Sequence, residues 1–240
     1  MSQRSTIDYE LTRCGAIPLL DLQAKHQSKS AEITTESLDP ENLDNIHEPP
    51  EIEKELAVLP IRGAVMFPGT VMPLTVGRES TLAMIDETLP QTKQVAVIAQ
   101  RDEEKEDPGP DDLYDIGVAG QVLKLIRQPD ETVSLIVHGI KRIRIRKYVK
   151  TKPFMRAKVE VLEETRRANK RTEAEFKSLR DAAMQLIKES PNAPEQAQTL
   201  LLNIDDAGNL ADFLAANLSM EVEQKQDLLE ELNVPRRLRA

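Results

Sequence analysis

The 240-residue chain has no tryptophan, one cysteine, three histidines and nine glycines, and aromatic side chains make up only 3% of it. Without a broad aromatic platform, a protein that stacks bases or sugars is disfavoured, and the core has to be aliphatic. The lone Cys14 closes no internal disulfide, and His26, His47 and His138 are scattered too widely for a metal-ligand spacing. No metal or other cofactor is expected. The glycines form neither a G-x-x-x-x-G-K-[ST] loop nor a G-x-G-x-x-G turn, and there is no Gly-x-Ser-x-Gly elbow, so no phosphate cradle or serine nucleophile is identifiable. No apolar window approaches the roughly 20 residues of a membrane span, and Met1 to His26 lacks an apolar run of signal-peptide length. The chain therefore reads as soluble and cytoplasmic, with no membrane partner.

What is present is 40% hydrophobic residues, enough to bury a real core, and a net charge of −9 from 32 basic and 41 acidic residues. That balance argues against gripping nucleic acid by bulk charge. The acidity is uneven: residues 1–55 hold twelve acidic and five basic residues, a net of −7, which leaves −2 for residues 56–240. The stretch from Lys25 to Glu55 shows neither a 2.0 nor a 3.6 period and ends in Pro49-Pro50, so residues 1–55 are expected to be a disordered acidic leader. It is either a solvating tail or a partner-binding arm, with Tyr9, Leu11, Ile17, Leu19 and Leu20 as the short binding element.

From Leu56 to about Leu162, beta-type runs dominate. Strands are expected at Leu56 to Ile61, Val71 to Val76, Val95 to Gln100, Ile116 to Arg127, Thr132 to Val137, Ile140 to Val149 and Met155 to Leu162. Gln128-Pro129-Asp130-Glu131 reads as a hairpin turn. One helix interrupts, Arg78 to Leu89, with Gly77 or Ser80 as its N-cap. Strands at this density without βα alternation fit a compact, strongly bent sheet or small barrel, not a doubly wound fold.

After Glu164 the period becomes 3.6. Phe176, Leu179, Ala183, Leu186 and Ile187 stripe a helix from about Arg171 to Glu189, which Pro191 and Pro194 end. A second helix carries Ala197, Leu200 and Leu201; Asp205 or Asp206 caps a third with Leu210, Phe213 and Leu214 inward; Ser219 caps a fourth with Val222, Leu229 and Leu232. The fold class is α+β: a bent β-sheet or barrel at residues 56–164 with one short helix, then a helical bundle at 165–240.

Several residues invite a chemical reading. His138 lies inside the run Leu135 to Ile140 and reads as a polar residue on the exposed side of a strand, since a general base needs a partner that the sequence does not supply. The acids Asp102, Glu103, Glu104, Glu106, Asp107, Asp111 and Asp112 lack EF-hand spacing and read as a solvated loop. In Lys141 to Lys147, alternation puts Ile143 and Ile145 toward a core and Arg142, Arg144 and Arg146 on the opposite face, spaced by about 6.6 Å. That row either meets an anionic partner or guards an exposed strand, and Arg142 is also a candidate for a structural carboxylate pair. In Leu59 to Leu74, Val65, Met66, Phe67, Val71 and Met72 either line a recognition surface or belong to the core.

Leu59-Pro60-Ile61-Arg62, Pro68, Pro73-Leu74 and Val76-Gly77-Arg78 resemble the opening of the N-terminal domain of ATP-dependent Lon proteases. Further matches follow in order: Val97 to Gln100, Asp112-Leu113-Tyr114 with Ile116-Gly117-Val118-Ala119, Val137-His138-Gly139 with Arg142 and Ile145, Leu210-Ala211-Asp212 with Ala215, and Lys225-Gln226-Asp227-Leu228-Leu229-Glu230. The likeness covers about residues 56 to 235 and departs at Asp206-Ala207, where the family usually has Asp-Pro. It implies a PUA-like β domain with a helical bundle.

The resemblance also implies capture of unfolded or degron-bearing proteins and self-association as in Lon hexamers. The ATPase loop and Ser-Lys dyad of full-length relatives are not in this sequence, so the chain is expected not to be an enzyme by itself. Met66, Phe67 and Met72 are then the expected apolar substrate contacts, and Arg78 and Glu79 the polar ones. Nucleic acid on Arg142, Arg144 and Arg146 is the rival, less favoured; a freestanding adaptor is a third.

Overall fold

The computed structural model describes residues 50–129, 132–166, 169–189 and 195–240. The leader and its Tyr9 to Leu20 element lie outside the described residues, as do Asp130 and Glu131 of the expected turn and both Pro191 and Pro194. The described chain runs β1 (Glu55–Ile61), β2 (Val71–Val76), α1 (Glu79–Thr88), β3 (Gln94–Ala99), β4 (Ile116–Arg127), β5 (Val133–Lys150), β6 (Arg156–Val161), α2 (Lys170–Glu189), α3 (Glu195–Leu202), α4 (Ala207–Asn217), α5 (Val222–Glu230) and α6 (Val234–Arg237). A mixed α+β architecture, a sheet followed by helices, is what the sequence led us to expect, with six strands in place of the seven expected.

The sheet order is β2-β5-β4-β3-β1-β6, and β5 also pairs with β6, so β1, β3, β4, β5 and β6 close into a ring. Closure is possible because β5 is 18 residues long: its first half pairs with β2 and its second half with β6, while β4 pairs along much of its length. The two strands expected on either side of His138-Gly139 are thus one continuous strand. All pairings are antiparallel except β1 with β3, whose parallel register is bridged by β2 and α1. β2 is left as an edge, a place where Pro73 costs no ladder bond.

Two apolar clusters lie on the two faces of the ring. Leu56 and Val58 of β1, Ala96 and Ile98 of β3, Ala119 of β4, Ile143 of β5 and Ala157 of β6 fill one. The alternate residues Leu59, Val97, Val118 and Val137 join Met84 and Ile85 of α1 in the other, which Ala215 of α4 and Leu228 and Leu229 of α5 help to cover. Both faces being covered explains why β3 reads as an unbroken apolar run, Val95 to Ala99. Gly139 sits where β5 passes under the 67–70 loop: its N–H donates to the Thr70 carbonyl (2.9 Å) and its own carbonyl accepts from Gly69 (2.8 Å). A methyl group on Gly139 would overlap the Phe67 carbonyl, so the close approach needs glycine.

The helix starts differ in part from expectation. Asp206 caps α4 as expected, accepting from the Asn209 N–H at 3.0 Å. Residue Arg78, not Gly77 or Ser80, stands at the N-cap of α1 without a side-chain cap bond. Glu221, not Ser219, precedes α5, its N–H donating to the Gln224 side chain (3.2 Å). Among the described residues no helix is long and apolar enough to cross a membrane.

Candidate functional site

The expected apolar contacts separate on folding. Met66 and Phe67 are 2% and 0% exposed and belong to the cluster that α1, α4 and α5 cover, so neither is offered to a partner. Burying such side chains stabilises by about 1.5–3 kcal/mol each, which outweighs leaving them in water. Met72, Leu74 and Val76 pack against the same cluster from β2, whereas Val71, Pro73 and Thr75 face outward. Arg78 lies two residues beyond the far end of β2 from Met72, at most about 20 Å along the chain. Its Nη2 donates to the buried Gln100 side chain (2.7 Å), and burial, then the nearby Arg62, lowers its pKa. Glu79 is exposed in the first turn of α1.

The arginine row also breaks up. Arg142 is buried and cannot meet an anionic partner. Its Nε donates to the Leu229 carbonyl (2.8 Å), Nη1 to Glu164 (2.7 Å) and Asp212 (2.8 Å), and Nη2 to Asp212 (2.6 Å). Arg237 of α6 donates to Glu164 (2.6 Å) and to the Glu231 carbonyl (2.7 Å), so two guanidiniums and two carboxylates close into one buried group. Arg166 extends it to the Asp206 cap (2.7 Å). Burial opposes ionisation of Glu164, but Arg237 and Arg142 outweigh it and hold its carboxyl below the ordinary range. Asp212 lies deeper, and there burial wins over the same guanidiniums and pushes the carboxyl up. The group joins β5, the segment after β6, α4 and α6: the structural carboxylate pair expected of Arg142 is its role. Arg146 is exposed and paired with Glu160, and Arg144 is half-buried. Period-2 alternation assigned the row to solvent because it does not register that helices cover this face.

His138 is half-buried, and burial lowers its pKa. No nucleophile is bonded to it among the described residues, and the acids at 102–107 lie on an exposed loop that Lys105 and Asp112 tie together at 2.7 Å.

Exposed apolar surface lies elsewhere, on the α2–α3 hairpin. Along α2 only Thr172 is buried; Phe176, Leu179, Ala183 and Ile187 are half-buried, and Leu186 is 61% exposed. In α3 three successive leucines cannot all turn inward: Leu201 is buried, and Leu200 and Leu202 are 55% and 59% exposed. The sequence signal was present in that Leu-Leu-Leu triplet. The stripe at Phe176 to Ile187 is on the helix expected, but α2 meets too little of the rest of the molecule for it to be covered.

A closed ring of strands with a buried charge group docking a helical layer, and apolar side chains left in solvent, defines an α+β domain. The family profile described as "ATP-dependent protease La (LON) substrate-binding domain" matches residues 55–240. The chain belongs to this family. It is 34% identical over 216 residues to Lon protease 2 of Myxococcus xanthus, covering 90% of this chain and 26% of that protein. Lon protease 2 of Thermus thermophilus is 35% identical over 190 residues, 79% of this chain and 24% of the relative. The chain thus spans about a quarter of the length of these relatives. Among solved structures, the N-terminal domain of Lon protease from the Mycobacterium avium complex superimposes with a TM-score of 0.64 at 21% identity, covering 78% of this chain and 95% of that one. The Lon N-terminal domain protein of Xanthomonas campestris gives 0.56 at 18%, covering 77% and 95%. These likenesses carry the fold.

Proposed function

We propose that the chain acts as a non-catalytic recognition module of a Lon-type protease in the cytoplasm. It captures misfolded or degron-bearing proteins and contributes to assembly of the protease hexamer. The observation that carries this reading is the exposure of Leu186, Leu200 and Leu202 on α2 and α3, while the other large apolar side chains among the described residues are mostly covered. Apolar side chains left in water at such a place suit exposed hydrophobic segments of varied sequence. Arg78 and Glu79, adjacent and of opposite charge, supply polar contacts at a second place, and the half-buried Met72, near the other end of β2, an apolar contact at a third.

The test is binding of the purified chain to a destabilised protein and to the same protein in its folded form. Preference for the unfolded form is expected, and equal, negligible binding to both overturns the reading.

A further inference from the structure

Where the start of β4 and the middle of β5 face α5, the surface opens into a cleft of about 460 Å³, lined by Arg101, Tyr114, Asp115, Arg144, Asp227 and Glu230 among others. Its strand wall carries Arg101 and Arg144 beside one acid, Asp115, and its helix wall carries acids alone. On the strand side, the Arg101 guanidinium lies over the Tyr114 ring, 4.5 Å from its centroid, and Nε donates to the Leu113 carbonyl (3.0 Å), which fixes its plane. Arg144 stands on β5 opposite Ile116. On the helix side, Asp227 and Glu230 are three residues apart and so share a face of α5.

Among the described residues neither arginine has a carboxylate in ion-pair range, and neither Asp227 nor Glu230 has a cation. Glu230 accepts only from Gln226 (2.8 Å). The contrast is with Arg142, two residues before Arg144 on the same strand, whose charge is fully met. The cleft holds two cations and facing anions apart.

A ligand that satisfies both walls carries one anionic group toward Arg101 and Arg144 and one cationic group toward Asp227 and Glu230. Guanidinium pairs suit a planar carboxylate, which accepts two-pronged bonds. A phosphate or polyanion fits poorly, because Asp115, Asp227 and Glu230 repel a second negative charge. The volume suits a few residues, not a folded surface. We propose that this cleft binds the C-terminal end of a polypeptide, with the α-carboxylate at Arg101 and Arg144 and a lysine or arginine side chain near the terminus against Asp227 and Glu230. This rests on the substrate-recognition reading above and names a class of substrate for it.

The test uses the whole 240-residue chain and fluorescence anisotropy at low salt. The probe is a labelled hexapeptide with lysine as its penultimate residue, prepared with a free C-terminal carboxylate and as the C-terminal amide. At least tenfold weaker binding of the amide is expected. Arg144→Gln should bring the acid down to the affinity of the amide, and Asp227→Asn should weaken the lysine peptide while leaving a penultimate-alanine peptide unchanged. Both positions are away from the core, and the urea midpoint of each variant confirms folding. Competition by free arginine as strong as by the peptide would assign the cleft to a small amino acid and overturn the proposal. So would equal binding of acid and amide, no binding of either, or an unchanged Arg144→Gln. If those negative results come with retained preference for unfolded protein, the cleft inference alone fails. Loss of that preference as well removes the recognition reading.

Discussion

Arg142 of β5 and Asp212 of α4, 70 residues apart in sequence, meet in a two-pronged ion pair at 2.6 and 2.8 Å with both side chains almost fully buried. Removing Arg142 takes the two-pronged bond from Asp212 and leaves that buried carboxylate only Arg237, at 3.1 Å. Arg142→Ala is therefore expected to lower the unfolding free energy by about 3–5 kcal/mol, read from the urea midpoint. Replacing both residues by apolar ones of similar volume should cost less than either single change, because no buried charge is then left unpaired.

The second prediction concerns the passage of β5 beneath the 67–70 loop. Gly139→Ala places a methyl group against the Phe67 carbonyl, backbone that cannot rotate away. A loss of about 1–3 kcal/mol is expected in thermal or urea unfolding. Lys124→Ala, at an exposed position of β4, should stay within about 0.5 kcal/mol of the parent chain.

These two residues also mark where sequence reasoning stopped. Val137-His138-Gly139 with Arg142 was legible as a family signature, and the sheet-then-helix order was legible from the change of period at Glu164. The reasons behind the signature were not. Gly139 is required by a loop 70 residues earlier in the chain, and Arg142 by a helix 70 residues later, and neither relation leaves a local pattern. Met66 and Phe67 were left open between a recognition surface and the core, and both prove buried. Leu200-Leu201-Leu202 shows the converse, since helical periodicity states that some of the three must be exposed without saying what covers them.

A third prediction follows from His138. Burial lowers its pKa, so the folded state disfavours the imidazolium relative to the unfolded chain. Its contribution is fully present above the ordinary histidine pKa of about 6.5 and is lost as pH falls from there through the lowered value. The unfolding free energy of the parent chain should decline over that interval, and His138→Gln should flatten the decline. An identical slope in both would show that His138 takes up its proton equally well in the folded state.

Leu186, Leu200 and Leu202 are more than half exposed, so replacing all three by serine should leave the urea midpoint near that of the parent chain. The most direct measurement is the affinity of this triple variant for a destabilised protein, beside the unmodified chain. At least tenfold weaker binding with an unchanged fold is the predicted result. Undiminished binding by the correctly folded variant would contradict the account.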